Sequence, residues 1–208
     1  MSLGLLITGV LAYLFGNSEN LMSLLYSYNE GGRSMTALGW IVMLAPLGLV
    51  FGLGAAYRKF SSNAMILLFV VFSALLGMSL SSIFIVYTAS SISLTFFIAA
   101  GMFGTMAVAG YTTSVDLTKI GSLLYMGLIG IIIASIANWF IGSSGLDYII
   151  SFIGVLIFTG LTAYDMQKIK QIGMQIDHAS EDGRKMAVMG ALSLYLDFIN
   201  LFLFLLRF

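Results

Sequence analysis

The sequence predicts an all-α membrane protein with seven transmembrane helices, and three observations lead there. Of the 208 residues, 60% are hydrophobic and 9% charged, where a soluble domain of this length carries roughly 50 charged side chains. The apolar residues fall in continuous runs close to the roughly 20 residues a helix needs to cross a bilayer. Those runs are too long, and alternate too little, for the roughly 10-residue strands of a membrane β-barrel. A mean hydropathy of +1.03 excludes both a soluble domain and a disordered chain.

The first segment, Leu3–Phe15, rises only about 20 Å against a hydrocarbon core of about 30 Å. It lacks the positive flank of a signal peptide. The loop Gly16–Thr36 contains Leu21, Met22, Leu24, Leu25 and Tyr26 and is expected to lie on the membrane surface. The second segment, Ala37–Tyr57, holds the only proline, Pro46, where a kink is expected whose freed carbonyl a neighbour satisfies. In the third, Ala64–Tyr87, the residues Ser73, Gly77 and Ser81 share one face and predict close helix packing. The fourth is Ser91–Tyr111, and after Gly110–Thr113 comes Asp116, placed to cap the fifth helix. The fifth, sixth and seventh are Gly121–Ile141, Tyr148–Met166 and Met186–Phe208. Residues 1–208 read as a single polytopic membrane domain.

Charge sets the expected orientation. The loops after the second, fourth and sixth segments hold Arg58, Lys59, Lys119, Lys168, Lys170, Arg184 and Lys185, and the other side holds Arg33 and Arg207. The positive-inside rule puts the richer side in the cytoplasm, with the N-terminus inside and the C-terminus outside. The net charge is zero, which implies no nucleic-acid partner.

Few residues can carry chemistry. There is no cysteine and one histidine, which excludes thiol nucleophiles, disulfides and the usual multi-histidine metal sites. No serine has the histidine and acid of a hydrolase triad, so no enzyme is expected. Glu19, Glu30, Asp147, Asp177, His178, Glu181 and Asp182 read as solvated loop residues. The pair Gly48 and Gly52 is a packing signal of modest specificity, and Gly52-Leu53-Gly54 has no preceding strand to make it a nucleotide fingerprint.

Two acids differ. Asp197 sits about 16 Å into the last segment if that begins at Met186. An intramembrane carboxylate is costly and marks a functional site by default. Gly190, Ser193, Asp197 and Asn200 share its helix face, which serves either function or helix–helix hydrogen bonding. Asp165 ends the sixth segment on a face with Thr162, Phe158 and Gly154, and Lys168 could pair with it on the helix surface. If the membrane begins near Gly190, Asp197 is only about 10 Å deep and the two acids could meet.

The stretches Thr162–Lys170 (TAYDMQKIK) and Gly190–Phe202 (GALSLYLDFINLF) resemble the transmembrane Bax inhibitor motif (Bax inhibitor-1) family, most closely its bacterial inner-membrane branch. Ser81–Ala89 and Gly110–Thr113 resemble the same branch. The likeness covers essentially the whole chain. It implies a seven-helix fold with the C-terminal helix central, and a calcium leak gated by pH through paired aspartates, here Asp165 and Asp197. It also implies an arginine latch near the cytoplasmic end of the second helix. Spacing from Gly77 puts Lys59 rather than Arg58 at that position, and a lysine cannot make the bidentate fork. Family members extend beyond this chain at both ends, so both ends are expected to be shorter than the family norm.

Two carboxylates in a low-dielectric site cannot both ionise cheaply. Sharing a proton, they tether two helices; both ionised, they repel and attract a divalent cation. Calcium takes six to eight oxygens, and Asp165, Asp197, Ser193, Asn200 and water would supply a weak site with no tightly bound cofactor. The reading is therefore a pH-sensitive calcium leak in a bacterial inner membrane. The alternative is a regulatory partner of other membrane proteins, such as a membrane protease, without transport activity.

Overall fold

A computed structural model describes residues 1–29, 32–57, 59–177 and 180–208. The chain is helical apart from one short hairpin among the described residues. Its elements are α1 (Ser2–Gly16), α2 (Glu19–Leu25), β1 (Tyr26–Asn29), β2 (Gly32–Met35), α3 (Ala37–Ala56), α4 (Ser62–Leu80) and α5 (Ile83–Val86). Then follow α6 (Ala89–Thr112), α7 (Thr118–Ile141), α8 (Ser144–Gly173) and α9 (Glu181–Leu206).

Six helical stretches are long and apolar enough to cross a membrane: Ala37–Gly54, Ser62–Val86, Ala89–Thr112, Thr118–Ile141, Ser144–Gly173 and Glu181–Leu206, with mean hydropathies from 1.8 to 2.3. The seventh expected span is α1, a shorter apolar helix that rises about 22 Å. Pro46 lies within α3, which continues through it. The loop expected on the membrane surface folds into α2 and an antiparallel hairpin in which Tyr26 faces Met35 and Ser27 faces Ser34. Helix α8 runs well past Met166, so Lys168 and Lys170 are helical rather than loop residues.

The described chain divides into two compact units. The first comprises Met1–Ala89 and the start of α9 through Met189. Here α1 and α3 both pack on α4. The face of Ser73 and Gly77 is where α1 comes close: Thr8 Oγ1 donates to the Ser73 carbonyl at 2.8 Å, and a Cβ on Gly77 would lie 2.6 Å from the Thr8 carbonyl oxygen. The packing read from that face is thus present, whereas Gly48 and Gly52 approach nothing. At the other end of α4, the Glu181 carboxylate accepts from Ser62 N at 2.5 Å and Ser62 Oγ at 3.0 Å, satisfying donors that a helix N-terminus leaves open.

The second unit comprises Ser90–Asp177 and Gly190–Phe208, and it carries the candidate site. Within it α6 meets α9 through Phe103 and Phe96, both with ring centroids 5.5 Å from Phe198. Helix α8 meets α9 through the stacked rings of Phe158 and Phe204, 5.8 Å apart. Helix α6 lies so close to α8 at Gly110 that any side chain there would strike the Ala163 backbone. The α8 and α9 stretches are the most buried, at 44% each against 11% for α6 and α7.

The α6–α7 turn is fixed from both sides. Asp116 Oδ1 accepts from Thr118 N at 2.9 Å and Thr118 Oγ1 at 2.6 Å; it stands one residue before the cap position expected of it, which Leu117 occupies. Gln167 on α8 is buried, donates from Nε2 to the Val115 carbonyl at 2.7 Å, and accepts from Leu117 N at 2.9 Å. Lys170 Nζ donates to the Tyr111 carbonyl at 2.7 Å and sits 4.8 Å from the centre of its ring.

Candidate functional site

Helices α7, α8 and α9 enclose a cavity of about 440 Å³ whose lining includes Asp165, Ser193, Asp197 and Asn200. Both acids are buried, Asp165 at 4% exposure and Asp197 at 5%. The depth mismatch anticipated from the segment boundaries does not keep the acids apart, since both line the same cavity, and α8 extends past Asp165 to Gly173. Asp165 is therefore well inside its helix. The two carboxyl groups are close enough to interact electrostatically.

Their surroundings differ. Tyr125, on α7, donates its hydroxyl to Asp165 Oδ1 at 3.3 Å, and the Ser193 side chain is a second hydrogen-bond partner of the same carboxyl. Asp197 Oδ2 is buried with no hydrogen-bond partner, the one such side-chain atom among the described residues. Native interiors rarely leave a polar atom in that condition. Asn200 turns its amide nitrogen back to the Leu196 carbonyl at 2.8 Å, so its carboxamide oxygen is the atom left to face a ligand.

Lys168 makes no contact ion pair with Asp165, although its charge acts on that carboxyl. Its Nζ lies 5.9 Å from the centre of the Tyr164 ring, and the ion pairs among the described residues are Arg184–Glu181 and Arg207–Asp147. Lys59 is exposed. Arg58, the other latch candidate, lies outside the described residues, as do Glu30 and His178.

Tyr125 had no sequence signal of its own. It is one aromatic residue in an apolar run, 40 positions from the acid it bonds. Gln167 stood inside the quoted motif, yet nothing in its spacing pointed to the α6–α7 turn.

Chemically, the site offers two carboxyls, three hydroxyls and a carboxamide oxygen in an otherwise apolar cavity. No group of three or more His, Cys, Asp or Glu side chains that could hold a metal occurs among the described residues.

Comparison with known proteins gives a consistent result. The family described as inhibitor of apoptosis-promoting Bax1 matches residues 1–208. A protein of Borreliella burgdorferi described as uncharacterized is 50% identical over 208 residues, covering 100% of this chain and 87% of that protein. The inner membrane protein YbhL of Escherichia coli strain K12 is 48% identical over 208 residues, covering 100% of this chain and 86% of YbhL. An uncharacterized protein of Deinococcus radiodurans is 37% identical over 207 residues, covering 100% and 85%.

Proposed function

The chain belongs to the Bax inhibitor family, and from that premise we propose that it is a pH-sensitive calcium leak gated by Asp165 and Asp197. The observation that carries this reading is the placement of both acids in one cavity between apolar helices, with Asp197 Oδ2 lacking a partner. At low pH the acids share a proton, which ties α8 to α9 and leaves no full charge to draw in a cation. At higher pH both ionise and repel, and the negative site recruits calcium. Ser193, Asn200 and water complete a weak, rapidly exchanging coordination sphere.

The similarity to an inner membrane protein supports a bacterial inner-membrane location. In this reading α1 makes a seventh, thin crossing by drawing on flanking residues and local bilayer thinning, and the excess of basic residues keeps the N-terminus cytoplasmic. Removing both Arg58 and Lys59 is expected to raise flux most where the acids are ionised.

The test is calcium entry into liposomes holding only the purified protein, from about pH 6 to 8, with the native chain and Asp197→Ala. Flux that rises with pH and is lost in Asp197→Ala supports the leak. Flux that is unchanged by Asp197→Ala, or that falls as pH rises, overturns it. Absence of flux together with co-purification of a membrane protease would favour the regulatory reading.

A further inference from the structure

The cavity is larger and more apolar than an ion requires. Its volume of about 440 Å³ falls within the roughly 300–1,000 Å³ of small-molecule sites, whereas calcium needs only oxygens about 2.3–2.6 Å away. Four oxygen-bearing side chains, Tyr125, Asp165, Ser193 and Asp197, gather at one end; Asn200 and Ser135 lie further along, the Ser135 hydroxyl turned back to the Ile131 carbonyl at 2.7 Å. From that end the α7 wall continues through Leu128 and Ile132 to Ile136, a rise of about 16 Å from Tyr125. Three of these wall residues are themselves open to the outside: Tyr125 is 40% exposed, Ile132 50% and Ile136 56%. On a helix apolar enough to span a membrane, the outside is lipid. An entrance on that side would open toward the acyl chains.

The polar end has a definite sign. Two acids line it and no base does. Asp165 already has its donors in Tyr125 and Ser193, while Asp197 Oδ2, on a side chain 5% exposed, has none. A ligand that completes this site supplies an N–H to that oxygen and a hydrocarbon body to the wall.

We propose that the cavity binds a lipophilic amine taken from the bilayer, its nitrogen on Asp197 Oδ2 and its alkyl chain along Leu128, Ile132 and Ile136. With the proton on the amine, N–H donates to the carboxylate and gains charge assistance in a water-poor setting; with the proton on Asp197, its O–H donates to the amine nitrogen. A fatty acid or anionic lipid is rejected by the two carboxyls, and a fatty alcohol brings no positive charge. Such an amine would occupy the place assigned above to calcium. Its predicted consequence, block of flux, rests on the leak reading, but its binding does not.

The test uses tritiated dodecylamine and purified protein in phosphatidylcholine nanodiscs near pH 7.5, with protein-free nanodiscs measuring simple partitioning. Saturable binding of one amine per chain is expected. It should weaken at least about tenfold in Asp197→Asn and by less than about threefold in Asp165→Asn. Leu128→Trp, which fills the apolar part and leaves both acids in place, should abolish it. Dodecanol should compete at least about tenfold less well than unlabelled dodecylamine. Binding no greater than in empty nanodiscs, equal binding to Asp197→Asn, or equal competition by dodecanol would overturn the proposal. Amine binding without calcium flux in liposomes would sink the leak reading alone, and calcium flux without saturable amine binding would sink this inference alone.

Discussion

Tyr125 donates its hydroxyl to Asp165 Oδ1 at 3.3 Å, and this bond makes the two cavity acids unequal. Asp165 is held by a residue of α7 and by Ser193 of α9, so its carboxyl position depends on three helices at once. Asp197 is on the same cavity wall with one oxygen unanswered. A proton shared between them, a calcium ion or an amine nitrogen would each satisfy that oxygen, which places all three in competition for one point.

If the acids act as one titrating unit, their substitutions will not add. Asp165→Asn and Asp197→Asn should each flatten the pH dependence of calcium flux, and the double variant should lose little more than either alone. The reason is that either change removes the shared proton site, leaving nothing for the second to remove. Flux measured across the pH series in liposomes decides the matter: independent, additive effects would mean that the acids do not share a proton.

Much of this site was legible in the sequence, and the parts that were not have physical reasons. Helical periodicity alone put Ser193, Asp197 and Asn200 on one face, and all three line the cavity. Asp165 joined them through the motif, since nothing in its local spacing separated it from a helix-surface acid paired to Lys168. Tyr125 was not legible, because a hydrogen bond between two helices depends on their register, and register leaves no mark within one segment. The helix ends were misjudged for a different reason. Hydropathy follows the hydrocarbon core, whereas α8 goes on for seven residues beyond Met166, through Lys168 and Lys170, to Gly173. The hairpin at Tyr26–Asn29 and Gly32–Met35 was hidden because a scan for spans gives little weight to a short polar alternation.

The buried amide of Gln167 should matter to stability more than its place near a helix end suggests. Replacing it with leucine strips the partners from Leu117 N and the Val115 carbonyl, and an unsatisfied backbone group costs about 1–3 kcal/mol. A loss of about 2 kcal/mol is expected, read as a lower unfolding midpoint in detergent. Gln167→Glu, which can still accept from Leu117 N, should lose less. Equal stability of native protein and Gln167→Leu would mean that the turn draws no support from α8.

Asp116 gives a pH dependence that can be signed. The Thr118 hydroxyl, followed by the Thr118 backbone N–H, holds its carboxyl below the ordinary value of 3.8. A carboxylate with a lowered folded value stabilises above its unfolded value, and that contribution is lost as pH falls through the folded one. Asp116→Ala should therefore melt below the native protein at pH 7, and the gap should begin to narrow below about 3.8 and close as the pH falls through the lowered folded value. A gap that persists unchanged in acid would show that the carboxylate is not its source.

The segment 168–185, the end of α8 and the start of α9 with the turn between them, should face the cytoplasm, because it carries Lys168, Lys170, Arg184 and Lys185, four of the nine basic residues, and such residues are retained on the cytoplasmic side. The chain has no cysteine, so a single introduced thiol reports its own position. Ser180 is suited to this: it precedes α9 and accepts from Gly183 N at 3.0 Å, a cap whose loss costs about 1 kcal/mol and leaves the helix otherwise unchanged. In intact cells Ser180→Cys should resist a membrane-impermeant thiol reagent and react once the membrane is permeabilised. Asn20→Cys, exposed on α2 between α1 and α3, should react in both conditions, because an orientation with residues 168–185 inside puts that helix outside. The opposite pattern would invert the topology. It would also put the α6–α7 turn, with Lys119 beside it, on the outer face, against the charge asymmetry from which the orientation was read.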